Sequence, residues 1–68
     1  MERWALSILI ALHKKPLRFS MLRRAIPRLS ANVLTARLRR LEAAQLVVRT
    51  TSTLPNPHRL YDLGPLAQ

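Results

Sequence analysis

The side chains with the most distinctive chemistry in this sequence are arginines and short polar residues in the middle of the chain. Asn32, Ala36 and Arg39 recur at intervals that place them on one face of a helix, with Thr35 on its flank. A guanidinium can donate two parallel hydrogen bonds to guanine, and a carboxamide can pair in the same way with adenine. The spacing therefore favours contact with base edges in a DNA major groove.

A helix predicted over residues 30–44 would position these side chains. Leu34, Leu38 and Leu41 recur at i, i+4 and i+7, which gives an apolar stripe on the opposite face. Ser30 is placed to cap the helix by accepting a hydrogen bond from a backbone N–H of the first turn. An ordinary amphipathic helix with solvated arginines has the same pattern, so this helix alone leaves both interpretations open.

Length and composition restrict the possible classes of protein. We expect the 68 residues to form a single domain, 1–68. Twelve Lys and Arg against three Asp and Glu give a net charge of +9, which favours polyanions such as DNA, RNA or an acidic membrane surface. The hydrophobic content of 49% is enough to fold. With no cysteine and no apolar run near the ~20 residues of a membrane span, we expect a cytoplasmic protein without a membrane partner.

Two further helices are predicted before the central one. The first covers Glu2–Lys14 and is ended by the proline that follows. The second covers Met21–Ile26, with Ser20 as its cap and Pro27 as its end. A short extended piece, Leu17–Phe19, separates the two.

Two strands are predicted after the central helix, over 46–51 and 58–63, and the prolines of the loop 52–57 interrupt regular pairing between them. In the second strand we expect Tyr61 and Leu63 to face inward. The order of elements predicts an α+β, mostly α fold, a winged helix-turn-helix of three helices and a C-terminal β-hairpin wing.

The first predicted helix is apolar on two sides, which is typical of a helix that is covered on both. One side carries Trp4, Ile8, Ala11 and Leu12. Leu6, Leu9 and Ile10 fall largely on the other. We expect Leu6 and Ile10 to contact a second copy or a partner protein; the alternative is simple exposure on a small protein.

No arrangement typical of an enzyme is present in the sequence. The carboxylates belong to different elements and form no pair: they are Glu2, Glu42 and Asp62. His13 and His58 are isolated, so we expect neither a metal site nor a cofactor. A single glycine, Gly64, is too few for a phosphate-binding loop. We interpret Glu42 as a partner for Arg39 or as an aid to solubility.

Longer blocks of the sequence resemble the HxlR-type transcriptional regulators, winged-helix proteins related to the MarR group. The blocks are Arg3-Trp4 with Ile8-Leu9, then 16–27, 29–42 and 46–49, and finally Pro57 with Tyr61-x-Leu63. The resemblance covers nearly all of the chain. It implies a bacterial or archaeal, nucleoid-associated regulator that binds double-stranded DNA sequence-specifically, usually as a homodimer on a pseudo-palindromic operator.

The resemblance also indicates which residues would contact DNA, from their positions in the matching blocks. The resemblance implies base-reading roles for Ser30, Asn32, Thr35, Ala36 and Arg39, and it places the loop 52–57 over the adjacent backbone or minor groove. Seven other arginines are better assigned to phosphates, which fix register without reading sequence. They are Arg18, Arg23, Arg24, Arg28, Arg40, Arg49 and Arg59.

The sequence departs from the family pattern in four places. Gln45 stands where glycine is usual, at a cost of about 1 kcal/mol if this residue is left-handed. Arg59-Leu60-Tyr61 replaces the common Val-Glu-Tyr, and Gly64 stands where threonine is common. The helices through which the family dimerises are nearly absent from both flanks, which directs attention to the apolar face of the first helix.

Other classes of protein fit part of the pattern. A winged helix can serve as a protein–protein interaction module, docking through its first helix. A basic RNA- or ribosome-associated protein is a second alternative, although Trp4, Phe19 and Tyr61 are all interpreted as core residues, which leaves no platform for base stacking. A membrane-active cationic peptide is disfavoured, because the apolar residues are arranged for a compact fold.

Overall fold

The computed structural model describes residues 3–52, 55 and 57–67. Its elements, in chain order, are α1 (Arg3–Lys14), α2 (Phe19–Ala25), α3 (Ala31–Ala43), β1 (Val47–Thr51) and β2 (Arg59–Leu63). The predicted winged helix-turn-helix, three helices followed by an antiparallel hairpin, is confirmed. The predicted start of the first helix at Glu2 lies outside the described residues.

The core is built from one stripe of each helix and the start of the hairpin. The buried apolar residues are Ile8, Leu12, Leu22, Ile26, Leu29, Leu34, Leu38, Leu41 and Val47. The predicted leucine stripe of α3 is therefore confirmed. On α1 the assignment of Leu9 to the outer side is wrong, since Leu9 packs partly buried against this core. The three aromatic residues also pack against the core, as predicted.

The N-termini of α2 and α3 differ, because only α3 is capped by a side chain. Ser30 Oγ accepts a hydrogen bond from the backbone N–H of Val33 at 3.2 Å, which confirms the predicted cap of α3. The predicted Ser20 cap is wrong, because α2 begins before Ser20 and its N-cap is Arg18, whose side chain makes no capping bond. Phe19 belongs to this helix and not to the extended piece, and its packing against the core favours the longer helix.

The hairpin pairs β1 with β2 in antiparallel register, from Val47 opposite Leu63 to Thr51 opposite Arg59. Each strand begins one residue later than predicted. Beyond the paired residues, the Ser52 N–H donates to the His58 carbonyl at 2.9 Å, and the His58 N–H donates to Ser52 Oγ at 3.1 Å. These bonds fasten the base of the loop 52–57; positions 53, 54 and 56 lie outside the described residues.

Leu17 pairs with the hairpin through an isolated antiparallel β-bridge to Tyr61. Its backbone N–H donates to the Tyr61 carbonyl at 2.9 Å, and the Tyr61 N–H donates back to the Leu17 carbonyl at 2.8 Å. The segment between α1 and α2 is thereby attached to β2. The extended conformation predicted for Leu17 is confirmed.

A tight turn joins α3 to β1. The Leu46 N–H donates to the Leu41 carbonyl at 2.9 Å and the Gln45 N–H to the Glu42 carbonyl at 3.0 Å, the two bonds of a Schellman motif. Gln45 has φ of 63°, in the left-handed region that favours glycine. The turn reverses the chain, so that β1 runs back past the last turn of α3.

Candidate nucleic-acid interface

The outward face of α3 carries the residues that the sequence predicts to read bases. Asn32, Ala36 and Arg39 are exposed and Thr35 is half-buried, on the side of the helix away from the buried leucines. Ser30 is exposed at the N-terminus of the helix. The structure therefore brings the five predicted side chains together on one helix.

The hydroxyl groups of Ser30, the N-cap of α3, and of Thr35 differ in whether they can still donate a hydrogen bond to a ligand. Thr35 Oγ1 donates its hydrogen to the Ala31 carbonyl at 2.8 Å, so the oxygen keeps acceptor capacity only. Ser30 Oγ accepts from the backbone N–H of Val33, which leaves its hydrogen to be donated. A ligand that lies along α3 meets a donor at the start of the helix and an acceptor about one turn further on.

A cavity of about 300 Å³ lies between α3 and the hairpin. Its lining is formed by Thr35, Arg39, Glu42, Arg49, Arg59 and Tyr61. Two predicted base-reading residues and two predicted phosphate-contacting residues thus share one concave surface. Sequence reasoning assigned these residues separately and did not predict that a single cavity would join them.

Two of the residues that line this cavity form an ion pair. The Arg49 Nε donates to Glu42 Oε1 at 2.6 Å, and the exposed fractions of the two side chains are 51% and 22%. The predicted pairing of Glu42 with Arg39 is therefore wrong. The reason is the turn at Gln45, which folds β1 back along α3 and brings Arg49 beside the helix end.

The remaining arginines assigned to phosphates are exposed and come from several elements. Arg18 is the N-cap of α2, Arg23 and Arg24 lie on α2, and Arg28 lies in the turn before α3. Arg40 lies on α3 and Arg59 begins β2, where it lines the cavity with Arg49. The structure thus joins Arg39, Arg49 and Arg59 in one place and distributes the other arginines around α2 and α3.

A second concave surface lies between α1 and α2 and has a different character. It encloses about 650 Å³ between apolar side chains that include Trp4, Ile10 and Ile26, and basic residues including Lys14 and Arg28 also line it. Leu6 and Ile10 of α1 are 57% and 60% exposed. This exposure fits both contact with a second copy or partner and simple exposure on a small protein, so the contact stays a prediction.

Residues 3–52, 55 and 57–67 form neither a cluster of metal ligands nor a membrane-spanning helix. No group of three or more His, Asp or Glu side chains is arranged to hold a metal ion there. In the same residues, none of the helices has the length and apolar character needed to cross a bilayer.

Comparison with known families identifies the family to which this chain belongs. The model of the HxlR-like helix-turn-helix family matches residues 1–67. The chain belongs to the HxlR-like helix-turn-helix family, which confirms the resemblance found in its sequence. No curated protein matches the chain.

Solved structures of transcriptional regulators share the fold. The reduced form of the transcriptional regulator YodB from B. subtilis is 29% identical with a TM-score of 0.89, over 97% of this chain and 65% of that one. A structure from Salmonella typhimurium, ytfH, named as a candidate transcriptional regulator, is 36% identical with a TM-score of 0.82, over 98% of this chain and 60% of that one. This chain therefore spans less than two thirds of the length of either.

Proposed function

We propose that this chain is a sequence-specific regulator of transcription that binds double-stranded DNA in a bacterial or archaeal cytoplasm, at the nucleoid. The observation that carries the proposal is the exposed polar face of α3, which an arginine-lined cavity joins to the hairpin in a chain of the HxlR-like family. In this proposal α3 enters the major groove and the loop 52–57 contacts the adjacent backbone or minor groove.

Base recognition is assigned to Ser30, Asn32, Thr35, Ala36 and Arg39. Arg39 can donate two hydrogen bonds to the O6 and N7 atoms of guanine, which is worth about 1–3 kcal/mol of discrimination against another base. Asn32 can pair with adenine, and the methyl group of Ala36 can contact the methyl group of thymine. The exposure of four of these side chains, with Thr35 half-buried beside them, supports the assignment.

Affinity is assigned to the exposed arginines around the face of α3. They are Arg18, Arg23, Arg24, Arg28, Arg40 and Arg59. Neutralisation of about six phosphates gives a slope near −5 for log affinity against log salt concentration. Arg49 was predicted to belong to the same group, but its guanidinium is engaged with Glu42.

Selection from a randomised duplex pool, followed by sequencing, tests this proposal. The wild-type chain is compared with Arg39→Ala and with Lys14→Ala, which removes one positive charge from α1, a helix to which no DNA contact is assigned. We expect an enriched motif for the wild type, the same motif for Lys14→Ala, and loss of preference at one base pair for Arg39→Ala.

The form of the enriched motif also reports on assembly. An inverted repeat with half-sites about 10 bp apart indicates a dimer on DNA, and a single half-site indicates a monomer. Uniform binding that falls steeply with salt and is indifferent to Arg39 would contradict the proposal. The basic charge would then be generic, as in an RNA-associated protein or a winged helix that binds other proteins.

We further propose that a second copy of the chain covers Leu6 and Ile10 when the regulator binds a two-fold operator. Two large apolar side chains one helical turn apart, each more than half exposed, support this part of the proposal. Light scattering after gel filtration, with and without operator, tests it. We expect Leu6→Ser with Ile10→Ser to abolish the dimer and Leu66→Ser, a change at another exposed apolar residue, to leave it intact.

A further inference from the structure

Glu42 occupies an unusual place for a carboxylate in a protein of net charge +9. Among the described residues, it is the one acidic side chain that lines the cavity between α3 and the hairpin, together with Arg39, Arg49 and Arg59. It is 22% exposed, so water screens its charge less than that of a fully solvated side chain. Its sequence position, three residues after Arg39, places it one helical turn from the proposed guanine-reading side chain.

The cavity without Glu42 would be a strong site for a backbone phosphate. Three guanidinium groups would line one concave space, and guanidinium binds phosphate oxygens with two parallel hydrogen bonds. Such a site would draw Arg39 toward the DNA backbone, where a contact carries no sequence information. With Glu42 present, one of the three positive charges is paired at 2.6 Å, and a phosphate entering the cavity meets a like charge.

We propose that Glu42 is a specificity-determining residue, which excludes backbone phosphate from this cavity and thereby keeps Arg39 available to read a base. In this role Arg49 holds Glu42 in place and makes no phosphate contact of its own, in contrast with the sequence-based expectation. Arg59, at the other strand, keeps its contact with the backbone. The proposal rests on the proposed function, since it assigns a division of labour within the same DNA-binding face.

Salt dependence of binding to a random duplex tests the exclusion of phosphate. Each neutralised phosphate contributes about 0.9 to the slope of log affinity against log salt concentration. We expect Arg49→Gln to leave the wild-type slope unchanged, Arg59→Gln to make it shallower by about 0.9, and Glu42→Gln to make it steeper by about 0.9. In the Glu42→Gln background, Arg49→Gln should remove the gain.

Base preference tests the effect on specificity. We expect Glu42→Gln to bind random DNA more tightly and to lower the preference for the enriched motif by about tenfold at the base pair that Arg39→Ala also affects. Glu42→Asp, which keeps the charge but shortens the side chain, should behave as the wild type in both measurements. Circular dichroism and thermal unfolding establish that each variant is folded.

The results separate this proposal from a structural role and from the proposed function itself. A purely structural ion pair predicts that Glu42→Gln weakens binding or leaves the slope unchanged, and either result overturns the proposal. A loss of slope in Arg49→Gln equal to that in Arg59→Gln also overturns it. A wild type without base preference contradicts the proposed function, whereas the slopes on random DNA still decide whether Glu42 excludes phosphate.

Discussion

The α-carbon of Gly64 lies so close to the backbone of Gln45 that a Cβ on Gly64 would be 2.4 Å from the Gln45 carbonyl oxygen. The Gln45 carbonyl also accepts a hydrogen bond from the Leu66 N–H at 3.1 Å, and the Gly64 N–H donates to the Leu46 carbonyl at 2.8 Å. Gln45, in the turn that follows α3, is thus held by the segment that follows β2. Two of the positions at which the sequence departs from the family pattern are therefore in direct contact.

Gly64→Ala is expected to destabilise the fold by about 1–3 kcal/mol, because the new methyl group overlaps a backbone carbonyl that cannot rotate away as a side chain would. Urea unfolding monitored by circular dichroism measures the change. Ala67→Gly, a comparable change in the same terminal segment, serves as a control for local flexibility. A midpoint for Gly64→Ala equal to that of the wild type would show that the backbone moves apart at little cost.

Gln45→Gly is expected to raise the free energy of unfolding by up to about 1 kcal/mol. Glycine adopts a positive φ without a steric penalty, although it also gains freedom in the unfolded chain, which reduces the benefit. Gln45→Ala keeps the Cβ and should leave stability nearly unchanged. If both variants shift the urea midpoint equally, the side chain of Gln45 contributes more than its backbone conformation.

Ser30→Ala and Ser20→Ala form a matched pair. Ser30→Ala removes the capping bond to the Val33 N–H and should cost about 1 kcal/mol. Ser20 lies inside α2, where alanine is a better helix former, so Ser20→Ala should be neutral or slightly stabilising. Thermal unfolding of the two variants in one buffer measures the difference. Equal losses of stability would contradict the assignment of Arg18 as the N-cap of α2.

The hydrogen bond that Thr35 makes within α3 predicts which bases it would contact in the proposed complex. Because its hydroxyl hydrogen is donated to the Ala31 carbonyl, Thr35 can accept but not donate, which favours the amino group of adenine or cytosine. Thr35→Ser should keep the preference and Thr35→Val should lose it, as measured by sequencing of the selected duplexes. A preference for guanine or thymine on the contacted strand would show that the hydroxyl group turns away from α3 on binding.

Sequence patterns predict α3 and its cap because both depend on neighbouring residues. The leucine stripe and Ser30 lie within a single helix, where spacing alone decides which side chains face inward. The start of α2 depends on the burial of Phe19 against other elements, which a local preference of Ser20 for capping positions does not reveal. Boundaries set by tertiary packing are therefore the part of the fold that the sequence predicts less well.

The candidate site also has one part that the sequence pattern predicts and one part that only the tertiary structure forms. The exposed face of α3 is predictable from helical periodicity, and it contains the proposed base-reading residues. The cavity cannot be predicted from helical periodicity, because it forms only when the left-handed turn at Gln45 brings β1 alongside the helix. Arg49 and Glu42 are seven residues apart with this turn between them, so no regular spacing indicates that they pair. The DNA contacts proposed for the arginines remain predictions.

The short bridge between Leu17 and Tyr61 also affects how the hairpin behaves toward other copies of itself. An open strand edge is a template for pairing with another chain, and at Tyr61 both edges of β2 are occupied, by β1 and by Leu17. Within the described residues, the outer edge of β1 has no strand beside it. Arg49 is the middle residue of this strand, so antiparallel pairing of two copies in full register would set two arginines directly opposite each other. A charged side chain in the middle of this open edge opposes edge-to-edge aggregation of a small, half-apolar domain.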